Sequence, residues 1–285
     1  MNEPSTKVSI IVVNYNTPEL VRALIDSIKE FTRQIDYEVI VFNNGCKPNG
    51  KFAVSGKNVF VRIIDSEENL GFARASNAAV EASENPFLLF ANSDCRIDSN
   101  VIPRLVKFLN ENPDAAACSA RTVSPDGQTH SPIRRFPTHK NIQSSRGAFI
   151  QRGDDYTLPA DDSRKPVEAM AATFMLVRRE LFKEVGGFDE RYFMFVEDTD
   201  LCRKFHDLGK TVWYLGDIGV HHIWGASTKQ HRLKMKYHHH LSIWKYFRKH
   251  YPTEKFANVW LAVQLAGNLL LVTVSQLVNK ESRHK

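Results

Sequence analysis

Three short clusters carry side chains able to do chemistry. Asn92-Ser93-Asp94 ends an apolar run, Glu197-Asp198-Thr199-Asp200 opens a helical pattern, and His221-His222 ends a later apolar run. A carboxylate directly after a buried strand can hold a divalent cation through hard oxygen, and such a cation can bridge a substrate diphosphate. The same aspartate can equally be a turn or N-cap residue before the next helix. Carboxylates at a helix start are favoured by the helix dipole alone. A histidine pair is more often packed or hydrogen-bonded than metal-bound. Singly, each cluster is explained as well by structure as by chemistry. No GxGxxG follows the first strand and no GxxxxGK[ST] occurs, which counts against dinucleotide-binding and P-loop enzymes.

The elements that must position these clusters alternate. Val8–Val13 and Tyr37–Phe42 are short apolar runs rich in β-branched residues, the pattern of strands buried on both faces of a parallel sheet. Between them Thr17-Pro18-Glu19 supplies an N-cap, a first-turn proline and an acidic first turn, and Leu20, Val21, Leu24, Ile25, Ile28 and Phe31 follow at helical spacing. A third strand is expected over Val59–Ile64, a helix over Ala73–Ala82 and a fourth strand over Phe87–Ala91. Such alternation predicts a doubly wound sheet whose ligands bind beyond the carboxyl ends of its strands, where Asn14, Asn43 and Asp94 lie. Arg121–Pro166, with five prolines and few apolar positions, reads as a substrate-side insertion. Beyond it the patterning predicts a strand over Glu168–Arg178 and a helix over Arg179–Val185 closed by Gly186-Gly187. A helix over Asp198–Leu208 ended by Gly209 and a strand over Thr211–Leu215 complete the series.

Composition bounds what this scaffold can be. The chain has 285 residues, 42% of them hydrophobic and 25% charged, which excludes a disordered chain, a disulfide-stapled miniature and a polytopic membrane protein. Its net charge of +6 is unevenly placed: residues 1–228 hold 27 basic and 30 acidic side chains, residues 229–285 hold 11 and 2. Cys46, Cys95, Cys118 and Cys202 show no metal spacing and are read as free thiols in a reducing compartment. Met1–Lys7 leads straight into the first strand without a signal-peptide pattern, so a cytoplasmic location is expected. Phe256–Val278 is free of charge and proline, and as a helix its 23 residues reach about 35 Å. Asn258, Gln264, Asn268, Ser275 and Gln276 fall in one sector of it, which favours a helix lying on a membrane or packing on a partner over one that spans.

In combination the clusters say more. Asn14-Tyr15-Asn16, Asn69-Leu70-Gly71-Phe72 with Asn77, Asn92-Ser93-Asp94, Gly186-Gly187-Phe188-Asp189-Glu190, Glu197-Asp198-Thr199-Asp200-Leu201 and His222-Ile223-Trp224-Gly225-Ala226-Ser227 occur in that order. Over roughly residues 7–228 the sequence resembles the family 2 glycosyltransferases, most closely their rhamnosyltransferase-like branch. The resemblance implies an α/β chain of GT-A fold. A mostly parallel twisted sheet flanked by helices would form a Rossmann-like nucleotide-sugar-binding half over about residues 1–120 and an acceptor half over 121–228. A basic, helical C-terminal appendage would follow over 229–285.

It further implies inverting transfer from a nucleotide-diphospho-sugar with Mg²⁺ or Mn²⁺ as cofactor. By similarity Asn92-Ser93-Asp94 stands at the DxD-type motif, with Asp94 and His222 at the metal, His221 a rival, and Asp198 the catalytic base. Donor contacts fall on Asn14, Asn16, Asn43, Asp65, Asn69, Gly71, Arg74, Asn77 and Asn92, and acceptor or diphosphate contacts on Arg134, Arg135, Glu197 and Trp224. The family's aspartate after the second strand is replaced by Asn43-Asn44-Gly45, so the nucleotide base is less predictable here. The specific expectation is dTDP-rhamnose, with a UDP-sugar as the other donor, and a glycan or polyprenyl-diphosphate-linked hydroxyl as acceptor.

The basic region interleaves Lys229, Arg232, Lys234, Lys236, Lys245, Arg248 and Lys249 with Tyr237, Trp244, Tyr246, Phe247 and Tyr251. Cations attract anionic lipid and aromatics favour the interface, so this region is expected to place the enzyme peripherally on the inner face of the cell membrane. Packing on the catalytic domain or in a homodimer is the other reading. A nucleic-acid-binding protein using the basic block, and less so a sugar nucleotidyltransferase, are the rival functions; no nucleic-acid partner is expected.

Overall fold

The computed structural model describes residues 7–45, 60–143, 157–223 and 232–281, with side chains omitted at residue 232 and from 276 onward. The elements in chain order are β1 (Lys7–Asn14), α1 (Pro18–Phe31), β2 (Asp36–Asn44), β3 (Phe60–Ser66), α2 (Gly71–Glu81), β4 (Phe87–Ala91), β5 (Cys95–Arg96), α3 (Val101–Glu111) and β6 (Ala115–Val123). There follow β7 (Thr129–His130), β8 (Ile133–Arg134), α4 (His139–Gln143), β9 (Arg164–Val167), β10 (Ala169–Met170), β11 (Phe174–Arg178), α5 (Arg179–Glu184), α6 (Glu197–Asp207), β12 (Thr211–His222), α7 (Arg232–His250) and α8 (Lys255–Glu281).

The main sheet runs β3-β2-β1-β4-β11-β6-β12-β5. Its first four strands are parallel, as the apolar β-branched runs predict, and every residue of β4 is buried. β11 enters antiparallel between β4 and β6, which makes the sheet mixed beyond β4. One face buries α1 and α3 through Val21, Leu24, Ile25, Ile28, Ile102 and Leu105. The other buries α2, α5 and α6 through Ala75, Ala79, Leu181, Phe182, Leu201 and Phe205.

The local expectations hold with informative exceptions. Glu168–Arg178 is not one strand: β10 pairs with β8 in a separate two-stranded sheet, β11 joins the main sheet, and Ala171–Thr173 between them is pulled out of register. The Ala171 amide donates to the Pro132 carbonyl at 2.8 Å and the Asn92 amide to the Thr173 carbonyl at 2.9 Å. Those bonds explain the break. Thr17 precedes α1, but its side chain does not cap the helix; its hydroxyl lies 3.0 Å from that of Ser93. Both Gly186 and Gly187 are left-handed (φ 74° and 64°). β12 continues seven residues past Leu215 through a register shift. Among the elements that escape the patterning are α3, with Pro103 in its first turn, and the alanine-rich β6, whose strand character comes from burial between β11 and β12.

The C-terminal helices are built into the catalytic half. Ile243, Tyr246, Phe247, Leu261 and Leu265 form one core with Tyr192 and Val196, the residues leading into α6. Asp200 of α6 has no exposed surface and accepts from His250 Nε2 at 2.7 Å, Lys249 Nζ at 2.7 Å and Tyr192 Oη at 3.2 Å. Burial alone would raise its carboxyl, but His250 and Lys249 outweigh that and hold it low.

α8 reverses the usual sense of an amphipathic surface helix. Its polar stripe faces the protein: Asn268 Oδ1 accepts from His240 Nε2 at 3.0 Å, and Asn258 donates to the Tyr251 carbonyl at 2.8 Å. Phe256, Val259, Trp260, Val263, Leu270, Leu271 and Val274 point outward, Phe256 being 94% and Leu271 69% exposed.

Removing one partner of a buried ion pair leaves the other uncompensated, so Asp200→Ala is expected to cost about 3–5 kcal/mol, read as a lowered midpoint in urea denaturation at neutral pH.

Candidate active site

The carboxyl ends of β1, β2 and β4 open on one cavity of about 290 Å³. Its inner wall holds Val13, Tyr15, Asn44, Asn69 and Gly71; its middle holds Asn92, Ser93, Asp94 and His222; and its far wall holds Arg134, Glu197 and Asp198. Clusters separated by up to about two hundred residues in the chain thus meet around one space, where the strand ends of an α/β sheet are expected to bind ligand.

Asp94 follows β4, and His222 ends β12 opposite Cys95 of β5. Strand alternation separates the two histidines. His222 turns inward, with Nε2 3.2 Å from Asp94 Oδ1, whereas His221 is directed to Asp98 at 2.8 Å. Cys95 Sγ lies within 4.8 Å of both ligand atoms, but it is fully buried, donates to the Thr173 carbonyl and has its thiol pushed up by burial, so it stays protonated. A carboxylate oxygen and an imidazole nitrogen facing a cavity suit Mg²⁺ or Mn²⁺ that completes its coordination with water and substrate phosphate oxygens.

The base candidate is fixed by the backbone break described above. Asp198 accepts from the Thr199 amide at 2.7 Å, from the Ala172 amide at 3.3 Å and from Arg134 at 3.4 Å. It lies in the first turn of α6, which Phe195 and Val196 lead into in left-handed conformations (φ 69° and 71°). Such a conformation is costly for non-glycine residues, and most of all for a β-branched one. Packing of Val196 against the α7–α8 core holds it.

Glu197 is buried, one of its side-chain oxygens, Oε2, lacks a partner, and its acid is pushed up to about 8 by burial and then by the Asp198 charge. Near neutrality it is therefore protonated, and a single anion rather than a pair faces the cavity from the start of α6.

The expected donor contacts divide. Asn69 and Gly71 line the cavity, and Gly71 has to be glycine: its φ is 79° and a Cβ would lie 2.1 Å from the Phe193 carbonyl oxygen. Asn14, Asn43 and Asp65 form a hydrogen-bonded row across the strand ends, Asn14 Nδ2 to Asn43 Oδ1 at 2.8 Å and Asn43 Nδ2 to Asp65 Oδ1 at 2.7 Å. Asn16 lies in the exposed turn after β1 with φ 57°. Asn77 and Arg74 turn away: Asn77 clasps the Phe188 amide and carbonyl, and Arg74 pairs with Glu190 at 3.6 Å. Arg135 does not line the cavity, unlike Arg134. Trp224 lies outside the described residues.

Sequence reasoning did not find Thr122, Ser131, the Ala171–Thr173 backbone, Phe193–Phe195, or Lys234 and Met235 of α7. Thr122 and Ser131 lie in a segment whose composition marks only an insertion. Nothing in the local pattern of the others marks them.

Sheet order, strand-end cavity and placement of the carboxylates define a GT-A glycosyltransferase. The chain belongs to glycosyl transferase family 2, whose sequence model matches residues 9–186. It falls in the rhamnosyltransferase-like branch and is a glycosyltransferase. It is 28% identical over 222 residues, 72% of this chain and 71% of the relative, to the N-acetylglucosaminyl-diphospho-decaprenol L-rhamnosyltransferase of Mycobacterium tuberculosis. It is 26% identical over 76% of its length to the O-antigen chain rhamnosyltransferase RfbN of Salmonella typhimurium, of which 66% is covered. In structure it is similar to a mannosyltransferase from Pyrobaculum calidifontis in complex with GDP-Man and Mn²⁺, with TM-score 0.59, 16% identity and coverage of 97% of this chain and 79% of that one. Nucleic-acid binding is not favoured. Of the tail's cations, Lys249 is taken up by Asp189 and Asp200 and Lys245 by the Arg191 carbonyl.

Between pH 4.5 and about 8 folded Glu197 keeps a proton that the unfolded chain releases, so its burial makes stability fall as pH rises through that window. Glu197 is faced by Asp198, Arg134 and Asp200. Glu197→Gln is expected to flatten that slope, seen as a larger gain in denaturation midpoint at pH 8 than at pH 5.

Proposed function

We propose that the protein transfers a sugar with inversion from a nucleotide-diphospho-sugar to a hydroxyl of a lipid-linked cell-envelope glycan precursor. The specific donor proposed is dTDP-rhamnose. The observation that carries this reading is the single cavity joining Asp94 and His222 at one wall to Asp198 at the other. The rhamnosyltransferase relatives support the sugar, and the name of the mycobacterial relative supports an acceptor carried on a polyprenyl diphosphate.

Asp198 removes the acceptor hydroxyl proton as that oxygen attacks the anomeric carbon, and the hydrogen bonds from Thr199, Ala172 and Arg134 keep its carboxylate aimed at the cavity. No covalent enzyme intermediate is required. Asp94 and His222 would hold the cofactor, for which Mn²⁺ in complexes of structural neighbours is a precedent. Bound there, Mg²⁺ or Mn²⁺ supplies charge neutralisation to the leaving nucleoside diphosphate. Asn69 and the Asn14–Asn43–Asp65 row stand at the nucleotide end, where an amide and a carboxylate can pair with base or ribose.

We further propose that the enzyme works on the cytoplasmic face of the cell membrane, with the outward face of α8 against the bilayer. Residues Lys255–Ser275 have a mean hydropathy of 1.6 and the length to cross a membrane. The polar stripe of α8 is, however, bonded to α7, which carries Lys234, Lys245, Arg248 and Lys249. A helix held against that many charges lies on the bilayer rather than within it.

Nucleoside diphosphate release should be seen with dTDP-rhamnose and Mg²⁺ or Mn²⁺ in a screen of dTDP-, UDP- and GDP-sugars, and failure with every donor would overturn the reading. Asp198→Asn is expected to lower transfer at least about a hundredfold with an unchanged melting temperature; retention of more than a few per cent would remove it as base. Full-length protein should float with vesicles containing phosphatidylglycerol, and Trp260→Asp with Leu271→Asp should abolish flotation.

A further inference from the structure

The cavity does not end at the base. Besides Glu197 and Asp198 it is lined by Phe193, Met194 and Phe195 and by Lys234 and Met235 in the first turn of α7. That turn lies well beyond residues 9–186, the part of the chain that defines the family. Two phenylalanines and two methionines make an apolar, adaptable surface. Lys234 sits exposed at its rim and forms no ion pair or hydrogen bond among the described residues.

The path continues outside. α7 and α8 run antiparallel, fixed by the contact of His240 with Asn268 at 3.0 Å. Six residues back from His240 is Lys234, and six residues on from Asn268 is Val274. At about 1.5 Å rise per residue each lies roughly 9 Å along its helix from that contact. The exposed apolar residues Leu270, Leu271 and Val274 lie on the same stretch of α8, within six residues of Asn268.

We propose that the first turn of α7 forms, with Phe193–Phe195, a binding site for an amphiphilic lipid diphosphate. Lys234 takes the diphosphate, the Phe/Met wall takes the first apolar segment of the chain, and the remainder leaves over the outer face of α8. This rests on the lipid-linked acceptor proposed above and assigns the group that selects it to the C-terminal helices rather than to the nucleotide-binding half. A cation beside Phe193, Met194, Phe195 and Met235, with the exposed apolar face of α8 on the adjoining helix, matches a charged head with a long alkyl tail. It does not match a free sugar or a soluble glycan, which would need hydrogen-bonding groups along its path.

The test uses full-length protein and three probes below their micelle concentrations, farnesyl diphosphate, farnesol and inorganic diphosphate, followed by intrinsic tryptophan fluorescence or calorimetry with dTDP present at saturation to occupy the donor site. Farnesyl diphosphate should bind at least about tenfold more tightly than either fragment. Lys234→Glu should weaken it about tenfold or more while leaving farnesol binding within twofold, and Met235→Asp should weaken both lipid probes. The exposed Lys107→Glu on α3 serves as the charge-matched control and should change neither. Equal affinity for farnesyl diphosphate in wild type and Lys234→Glu, or equal affinity for farnesol and farnesyl diphosphate, would overturn the proposal. Failure of every nucleotide-sugar in the donor screen, with lipid diphosphate binding intact and Lys234-dependent, would overturn the transferase reading and leave this site standing.

Discussion

Asp200 carries its charge with no exposed surface, and a buried charge persists only where it is paired and hydrogen-bonded. Its partners come from two directions, Tyr192 from the approach to α6 and Lys249 with His250 from the end of α7. The consequence reaches across the molecule. α7 has to dock where it does, Val196 packs into the core that docking creates, and the strained left-handed pair Phe195–Val196 is held. That pair in turn presents Glu197 and Asp198 to the cavity. The start of the catalytic helix depends on the C-terminal helices, although they are the part of the chain most remote from the family's motifs.

The site places its charges with economy. Four carboxylates and two histidines lie within a few residues of the cavity or of the helix that bounds it, yet their duties are separated by environment. Asp94 is set beside His222, Asp198 is held by two backbone amides and Arg134, Asp200 is consumed in a structural clasp, and Glu197 is kept neutral by burial. Neutral Glu197 spares the cavity a second anion beside Asp198, the proposed base. The same logic distributes the basic tail: Lys249 and Lys245 are spent on the fold, Arg248 stacks over Trp244 at 4.9 Å, and Lys234 remains at the cavity rim.

Much of this was legible in the residues, and the parts that were not have definite reasons. β1, β2, β4 and α1 follow from hydrophobic period because each satisfies its apolar face against immediate neighbours. Glu168–Arg178 reads as one strand because its composition is uniform, and only the bonds from Ala171 to Pro132 and from Asn92 to Thr173 divide it. His221 and His222 are equivalent in sequence, and the pleat of β12 chooses between them. Asn77 has the residue type of a ligand contact but is committed to the Phe188 backbone. The polar stripe of α8 is visible in the sequence; its inward direction is not, because it depends on His240 and Tyr251 offering partners.

By itself the sequence determined the doubly wound half, the strand ends at which ligand binds, and the family, since local period and short motifs carry that information within a few residues. The tertiary structure alone decided which carboxylates line the cavity and which is spent on the fold, which histidine turns to Asp94, and that α7 lines the cavity. Those outcomes rest on desolvation and on pairing between groups far apart in the chain, and no window of sequence contains both members of such a pair.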